Sequence, residues 1–308
     1  MITGHILKRL VPGAVFALLL LGAAIARAAP AGGILVVCDT EVAPYRLLEE
    51  SFAKSSRLPV RVVAPEKAGG DDFEARLLRE GVRGVLAVGM QARAAAEGLR
   101  ELPVLLAMVP HVEPWVAERP NRLGIEMALS PRRHLETIRR VFPRARRVGV
   151  IFDPAQTGPY VRGAAAVTGL GLTLVTREIA RPTDLSRALE ELRGEVDVIW
   201  LLPDPTVLQG TNLSVLLLAS FESRVPLYGF ARKYVELGAV AAAHLDPEVM
   251  GVQAAEMLAA SLDRPPQPAA ARLRYATGAE LVVNRKVARK MGIDLDPTLL
   301  EEADDVLR

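Results

Sequence analysis

Short apolar runs and longer helical patterns take turns along this chain. Residues 33–38, 60–64, 84–89 and 103–108 read as strands, with 122–126 a shorter extended piece. Between them, residues 41–55 place Leu47, Leu48 and Phe52 on one helical face, and residues 71–80 and 91–98 supply the next helices. Strand and helix units at this spacing predict a parallel sheet, because each parallel crossover needs a helix. A helix over 131–141 follows, with Ser130 as its N-cap, Pro131 in its first position and His134 expected on its solvent side.

A second series then begins. Strands at 147–152, 172–176, 197–202, 225–228 and 240–243 alternate with helices near 160–169, 183–193 and 207–223. Two successive series of about five strands each predict an α/β protein of two lobes, not one long sheet. Residues 247–262 form another amphipathic helix, residues 264–268 a proline-rich linker, and the tail offers strands at 272–276 and 281–284 with two short helices, the last from near Pro297.

The run Val196-Asp197-Val198-Ile199-Trp200-Leu201-Leu202-Pro203-Asp204-Pro205 is apolar on both alternating sets of positions, as suits a strand covered on both faces. Ligands in open α/β sheets bind at the carboxyl ends of such strands. Asp204 is therefore a candidate ligand contact, although an aspartate between two prolines also suits a turn former. The first turn of each lobe has the same grammar: a strand ends in Asp39 and Thr40 in one, and in Asp153, with Thr157 close behind, in the other. A helix begins after each, so its free amides are placed to hold an anionic group, unless these side chains cap their own helices.

Composition narrows the function classes. The chain has 308 residues, half of them apolar and 24% charged, enough to bury a large core. Lys8 and Arg9 precede an apolar segment over 10–25, and Ala26-Arg27-Ala28 supplies small residues for cleavage, so residues 1–28 read as an export signal cut after Ala28. No cysteine follows at that point, so no lipid anchor is expected. Loss of the signal takes three basic side chains and no acid, turning the formal charge from +2 to −1. A near-neutral mature chain gives no electrostatic case for nucleic acid. Cys38 is the single cysteine, so no internal disulfide can form, and its apolar neighbours point to a buried small hydrophobe. The motifs of serine hydrolases, zinc proteases, dinucleotide-binding folds and phosphate loops are missing, so no enzymatic activity is expected. His111 and His244, with Cys38 or Asp39, lack metal-ligand spacing, and neither metal nor cofactor is expected.

Several stretches resemble a known family. Asn121-Arg122-Leu123-Gly124-Ile125 with Ser130-Pro131, the run Pro143 to Pro154, and the run Val196 to Asp204 look like the substrate-binding proteins of ABC transporters, including the tryptophan/tyrosine-type periplasmic binding proteins. Gly238-Ala239-Val240, Asp246-Pro247-Glu248, Gly251 to Met257, Val283-Asn284 and Leu295-Asp296-Pro297 continue the resemblance in order, over nearly all of residues 33–308. It implies a type I periplasmic binding protein fold: two Rossmann-like α/β lobes with parallel sheets, joined by three hinge crossovers near 110–129, 244–247 and 277. The lobes would comprise 29–128 with 246–276, and 129–245 with 277–308.

Carried over by position, the turns at Asp39-Thr40, Gly89-Met90, Asp153-Pro154, Pro203-Asp204 and Gly229-Phe230 would line the cleft. Met90 and the Phe230-Ala231-Arg232 turn depart from the family's usual small or hydroxylic residues. The expected ligand is a small solute of the amino-acid class. Its ammonium would pair with Asp204 or Asp39, its carboxylate would sit on helix-start amides with Thr40 or Thr157, and its side chain would meet Tyr45, Met108 or Phe230. The expected partner is an ABC permease of the inner membrane, with the protein a periplasmic monomer. The alternatives are a ligand sensor that signals without transport and an enzyme on the same scaffold.

Overall fold

A computed structural model describes residues 32–262 and 267–308, so the expected export signal and most of the proline-rich linker lie outside the described residues. The first lobe opens with β1 (Ile34–Cys38), α1 (Ala43–Ser55), β2 (Val60–Val63), α2 (Phe73–Arg79), β3 (Gly84–Val88), α3 (Met90–Ala96), β4 (Val104–Val109), α4 (Glu113–Glu118) and β5 (Arg122–Leu129). The second takes α5 (Pro131–Val141), β6 (Arg147–Phe152), α6 (Gly158–Ala165), β7 (Thr173–Glu178), α7 (Leu185–Leu192), β8 (Val198–Trp200), α8 (Asn212–Ser223), β9 (Leu227–Gly229), α9 (Arg232–Leu237) and β10 (Ala241–Leu245). The chain then returns to the first lobe with α10 (Pro247–Leu262), α11 (Ala269–Arg272) and β11 (Leu273–Ala276). It ends in the second with β12 (Ala279–Asn284), α12 (Arg285–Lys290), α13 (Pro297–Glu302) and β13 (Asp305–Leu307).

Two sheets result, in the orders β11-β5-β4-β3-β1-β2 and β13-β12-β10-β9-β8-β6-β7. Every pairing in the first is parallel. The second differs from expectation at one place, where β12 runs antiparallel to β10. β10 leaves its sheet at the carboxyl edge, and β12 re-enters at that same edge, so it has to run the other way. All three passages between lobes, after Leu129, Leu245 and Ala276, start from carboxyl ends of strands. The carboxyl edges of the two sheets therefore face each other.

The hydrophobic pattern explains which strands are central. β1, β3 and β4 are buried at every position, as strands covered on both faces must be. The edge strands β2 and β7 are buried at none of their positions, and β2 carries the exposed Arg61, which blunts it against foreign pairing. One face of the first sheet packs on α1 and α10 through Leu48, Phe52, Met250 and Ala254, and Cys38 is buried there, its thiol pushed up to about 12 by that burial. The other face packs on α2, α3 and α4 through Phe73, Leu77, Ala92 and Trp115.

α5 starts as expected, its first turn capped by the Ser130 side chain, which accepts from the Arg133 amide. His134 does not face solvent. It is buried with Leu135, Ile138 and Val141, because it lies four and seven residues before the last two and so shares their stripe. Its Nδ1 is 3.0 Å from the Tyr228 hydroxyl and its ring 5.3 Å from that of Trp200. Burial alone drives its pKa down to about 3. The helix expected over 207–223 begins only at Asn212, since residues 204–207 are drawn into a turn.

Two consequences are measurable. An added Cβ at Gly251 would collide with the Leu48 carbonyl oxygen and the Phe52 amide, which no rotamer change can relieve. Gly251→Ala should force α10 off α1 and cost about 1–3 kcal/mol in urea melts; an unchanged midpoint would refute this contact. His134 is neutral when folded but protonates below about pH 6.5 when unfolded. Stability should thus be full above pH 6.5 and fall by about 1.4 kcal/mol per unit below it, a slope that His134→Gln should flatten.

Candidate functional site

The turns at the facing carboxyl edges can be built residue by residue. In the first lobe Asp39 closes a small turn by accepting from the Glu41 amide at 3.1 Å, and the Thr40 carbonyl accepts from Arg46. Neither caps α1: its N-cap position is Val42, with no side-chain cap, Pro44 brings no amide proton, and the Tyr45 and Arg46 amides bond the Val42 carbonyl, so the first turn offers little beyond the Ala43 amide. Gly89 stands between β3 and α3 at φ +87, and an added Cβ there would lie 2.6 Å from the Tyr45 ring. Glycine suits that backbone and leaves room for the hydroxyl end of the half-buried Tyr45 ring against it. Met90 follows and is 53% exposed. Met108, expected to touch ligand, is instead enclosed in the core within β4.

In the second lobe the acidic turns are locked to each other. Asp204 is 0% exposed. Its Oδ2 accepts from the Asp153 amide at 2.8 Å and the Thr157 hydroxyl at 2.6 Å, and its Oδ1 from the Thr206 and Val207 amides at 3.0 and 3.1 Å. Asp153 answers, accepting from the Ala155 amide at 2.9 Å and the Thr206 hydroxyl at 2.6 Å. Every oxygen of both carboxylates is used internally. Asp204 is therefore a turn former and not a partner for a ligand ammonium, because enclosure and four donors leave it no room. Thr157 has spent its only proton on Asp204, so it cannot donate to a ligand carboxylate either. Phe230 is half-buried, with its ring 4.7 Å from that of Tyr234.

A third group sits beside the passage strands. The pairing of β4 with β5 slips between Leu106 and Val109, with Met108 at φ +55 and His111 at φ +52, two of the three left-handed non-glycine residues among those described. The slip brings Val109 level with Glu126, whose Oε1 accepts from the Glu113 amide at 3.2 Å. Burial raises the proton affinity of Glu126 above the usual carboxylate range. Tyr275 lies level with Glu126 on its other side, and its ring is 6.2 Å from that of Tyr160 in the second lobe. Tyr160 in turn donates its hydroxyl proton to the Leu129 carbonyl, 2.8 Å away at the end of β5. No group of three or more His, Cys, Asp or Glu among the described residues is arranged to hold a metal. His244 pairs with Glu280 at 3.1 Å.

Comparison with known proteins decides the family. Residues 85–307 match the model described as ABC transporter substrate binding protein. The chain belongs to that family. A curated relative, a tyrosine-binding protein of Clostridioides difficile (strain R20291), is 22% identical over 54% of this chain, and the match spans 50% of that relative's length. Among solved structures, a substrate binding protein with adhesive properties from Clostridium difficile, in its ligand-free, open structure, gives a TM-score of 0.63 at 15% identity, covering 89% of this chain and 98% of that one. A Streptococcus pneumonia domain in complex with L-Trp gives 0.51 at 19% identity, with coverage of 89% and 98%. These likenesses establish the type I periplasmic-binding fold.

For a substrate-binding protein of this fold, the gap between facing strand ends is the place for a small molecule. The sequence pointed to the turns at Asp39-Thr40, Gly89-Met90, Asp153-Pro154 and Pro203-Asp204, which the structure places at strand ends, and did not single out Glu126, Tyr160 or Tyr275. Glu126 ends the extended piece read at 122–126, the same strand-then-acid grammar that singled out Asp39. The Asp204 lock predicts that Asp204→Ala, which strands four donors in the second lobe, lowers its stability by about 3 kcal/mol or more in denaturant melts. A loss below about 1 kcal/mol would show that the lock contributes little.

Proposed function

We propose that this chain is the periplasmic solute-binding component of an ABC import system and that its solute is an amino acid or a related compound. Family membership carries the proposal, and the relatives described as tyrosine-binding and as bound to L-Trp favour the amino-acid class. The lobes, 29–128 with 246–276 and 129–245 with 277–308, would close on the solute by bending at the three passages. Only a closed state lets both lobes touch one small molecule, so binding favours closure. The Thr40 hydroxyl and the Ala43 amide beside it suit the solute carboxylate, and the Tyr45 ring with exposed Met90 suits an apolar side chain. The closed protein, a monomer released by signal cleavage, would present a permease with a surface it lacks when open, and would do no chemistry on its cargo.

Thermal and urea melts of residues 29–308 against amino acids, nucleosides and sugars test this reading. An amino acid at a hundred times its dissociation constant should add about 2.7 kcal/mol. Stabilisation by sugars or nucleosides alone, or turnover of a bound compound, would overturn it.

A further inference from the structure

We infer that Glu126 receives the ammonium group of the solute, beside the ring of Tyr275, an assignment that rests on the amino-acid reading above. Asp204 of the second lobe is excluded: it is fully enclosed and accepts four hydrogen bonds from within the chain. Glu126 stands at the carboxyl edge of the first sheet, next to the passage that begins after Leu129. Its neighbours differ from those of an ordinary buried acid. It takes backbone protons at the start of α4, yet no salt bridge ties it down among the described residues. The charged groups that act on it are His111, which favours the ionised form, and Glu113, which opposes it.

A carboxylate withdrawn from water without a cation is an unmet demand for positive charge. An ammonium placed there would offset the cost of burial and gain a charge-assisted hydrogen bond. The aromatic surroundings fit the same guest. Tyr275 lies level with Glu126 on the adjacent strand and so on the same face of the sheet, and Tyr160 meets it edge-on at 73° from the opposite lobe. Ring faces attract cations, by about 0.5–2 kcal/mol each depending on desolvation. The backbone there is also committed: Met108 and His111 hold left-handed conformations that side chains disfavour, and together they shape the loop that brings the Val112 and Glu113 amides to Glu126.

Calorimetric titration of the wild type and Glu126→Gln with L-tyrosine and L-tryptophan, and with the same compounds lacking the amino group, tests the assignment. Glutamine keeps an oxygen for the α4 amides, so the loop should hold. The wild type should prefer each amino acid over its des-amino analogue by tenfold or more, and Glu126→Gln should lose that preference while binding the analogue within about threefold of wild type. Two results overturn the assignment alone: wild type that binds the analogue as tightly as the amino acid, or a variant that keeps full discrimination. If wild-type protein binds no amino acid of the melting panel, the solute reading falls and this assignment falls with it.

Discussion

Burial of both faces of two mainly parallel sheets limits where this protein can hold anything. Strands such as β1, β3 and β4 have no free surface along their length, so their backbone and side chains are spoken for everywhere but at the ends. The amino ends lead away from the partner lobe. Because all three passages depart from carboxyl ends, those ends are turned toward one another, and the residues just beyond them are the ones that two lobes can share. Helix starts gather at the same edges, since each strand hands over to a helix there, and their free amides give the gap a lining that favours negative groups.

Within that frame the two lobes present different surfaces. The second lobe closes its edge upon itself: two carboxylates, two threonine hydroxyls and four backbone amides satisfy each other, leaving a stiff rim. The first lobe leaves more open, with the Asp39 turn, the glycine-seated Tyr45 ring, exposed Met90 and the half-buried Glu126. A rigid rim facing an adaptable one is a reasonable division for a cleft, because a preorganised wall spares the ordering cost on one side.

Much of the fold was legible because period and burial speak with one voice in central strands and amphipathic helices. The helix read at 247–262 has the observed bounds, and Ser130 caps as its spacing suggests. The short elements α4, α9 and β13 were not read, whereas the equally short α13 was, because Asp296 and Pro297 mark its start. The site was read less well. Aspartates at strand ends were found by position, but whether a carboxylate faces the gap or its own backbone depends on hydrogen bonds made across about fifty residues, as between Asp153 and Asp204. His134 was misplaced for a simpler reason: its spacing to Ile138 and Val141 was outweighed by its polarity.

The contact between α1 and α10 bears on the order in which the molecule can assemble. Ser51 donates its hydroxyl proton to the Glu248 carbonyl, a partner 197 positions later, and β11 lies along β5 only after the segment from α5 to β10 has been passed. A chain emerging from its amino end therefore cannot finish the lobe it starts. The intervening segment, from α5 to β10, has most of its own sheet at hand first, so the earlier half waits on the later one. Contacts of such long sequence separation slow folding, and a protein built this way keeps its amino-terminal half unfinished until nearly all of it has been made.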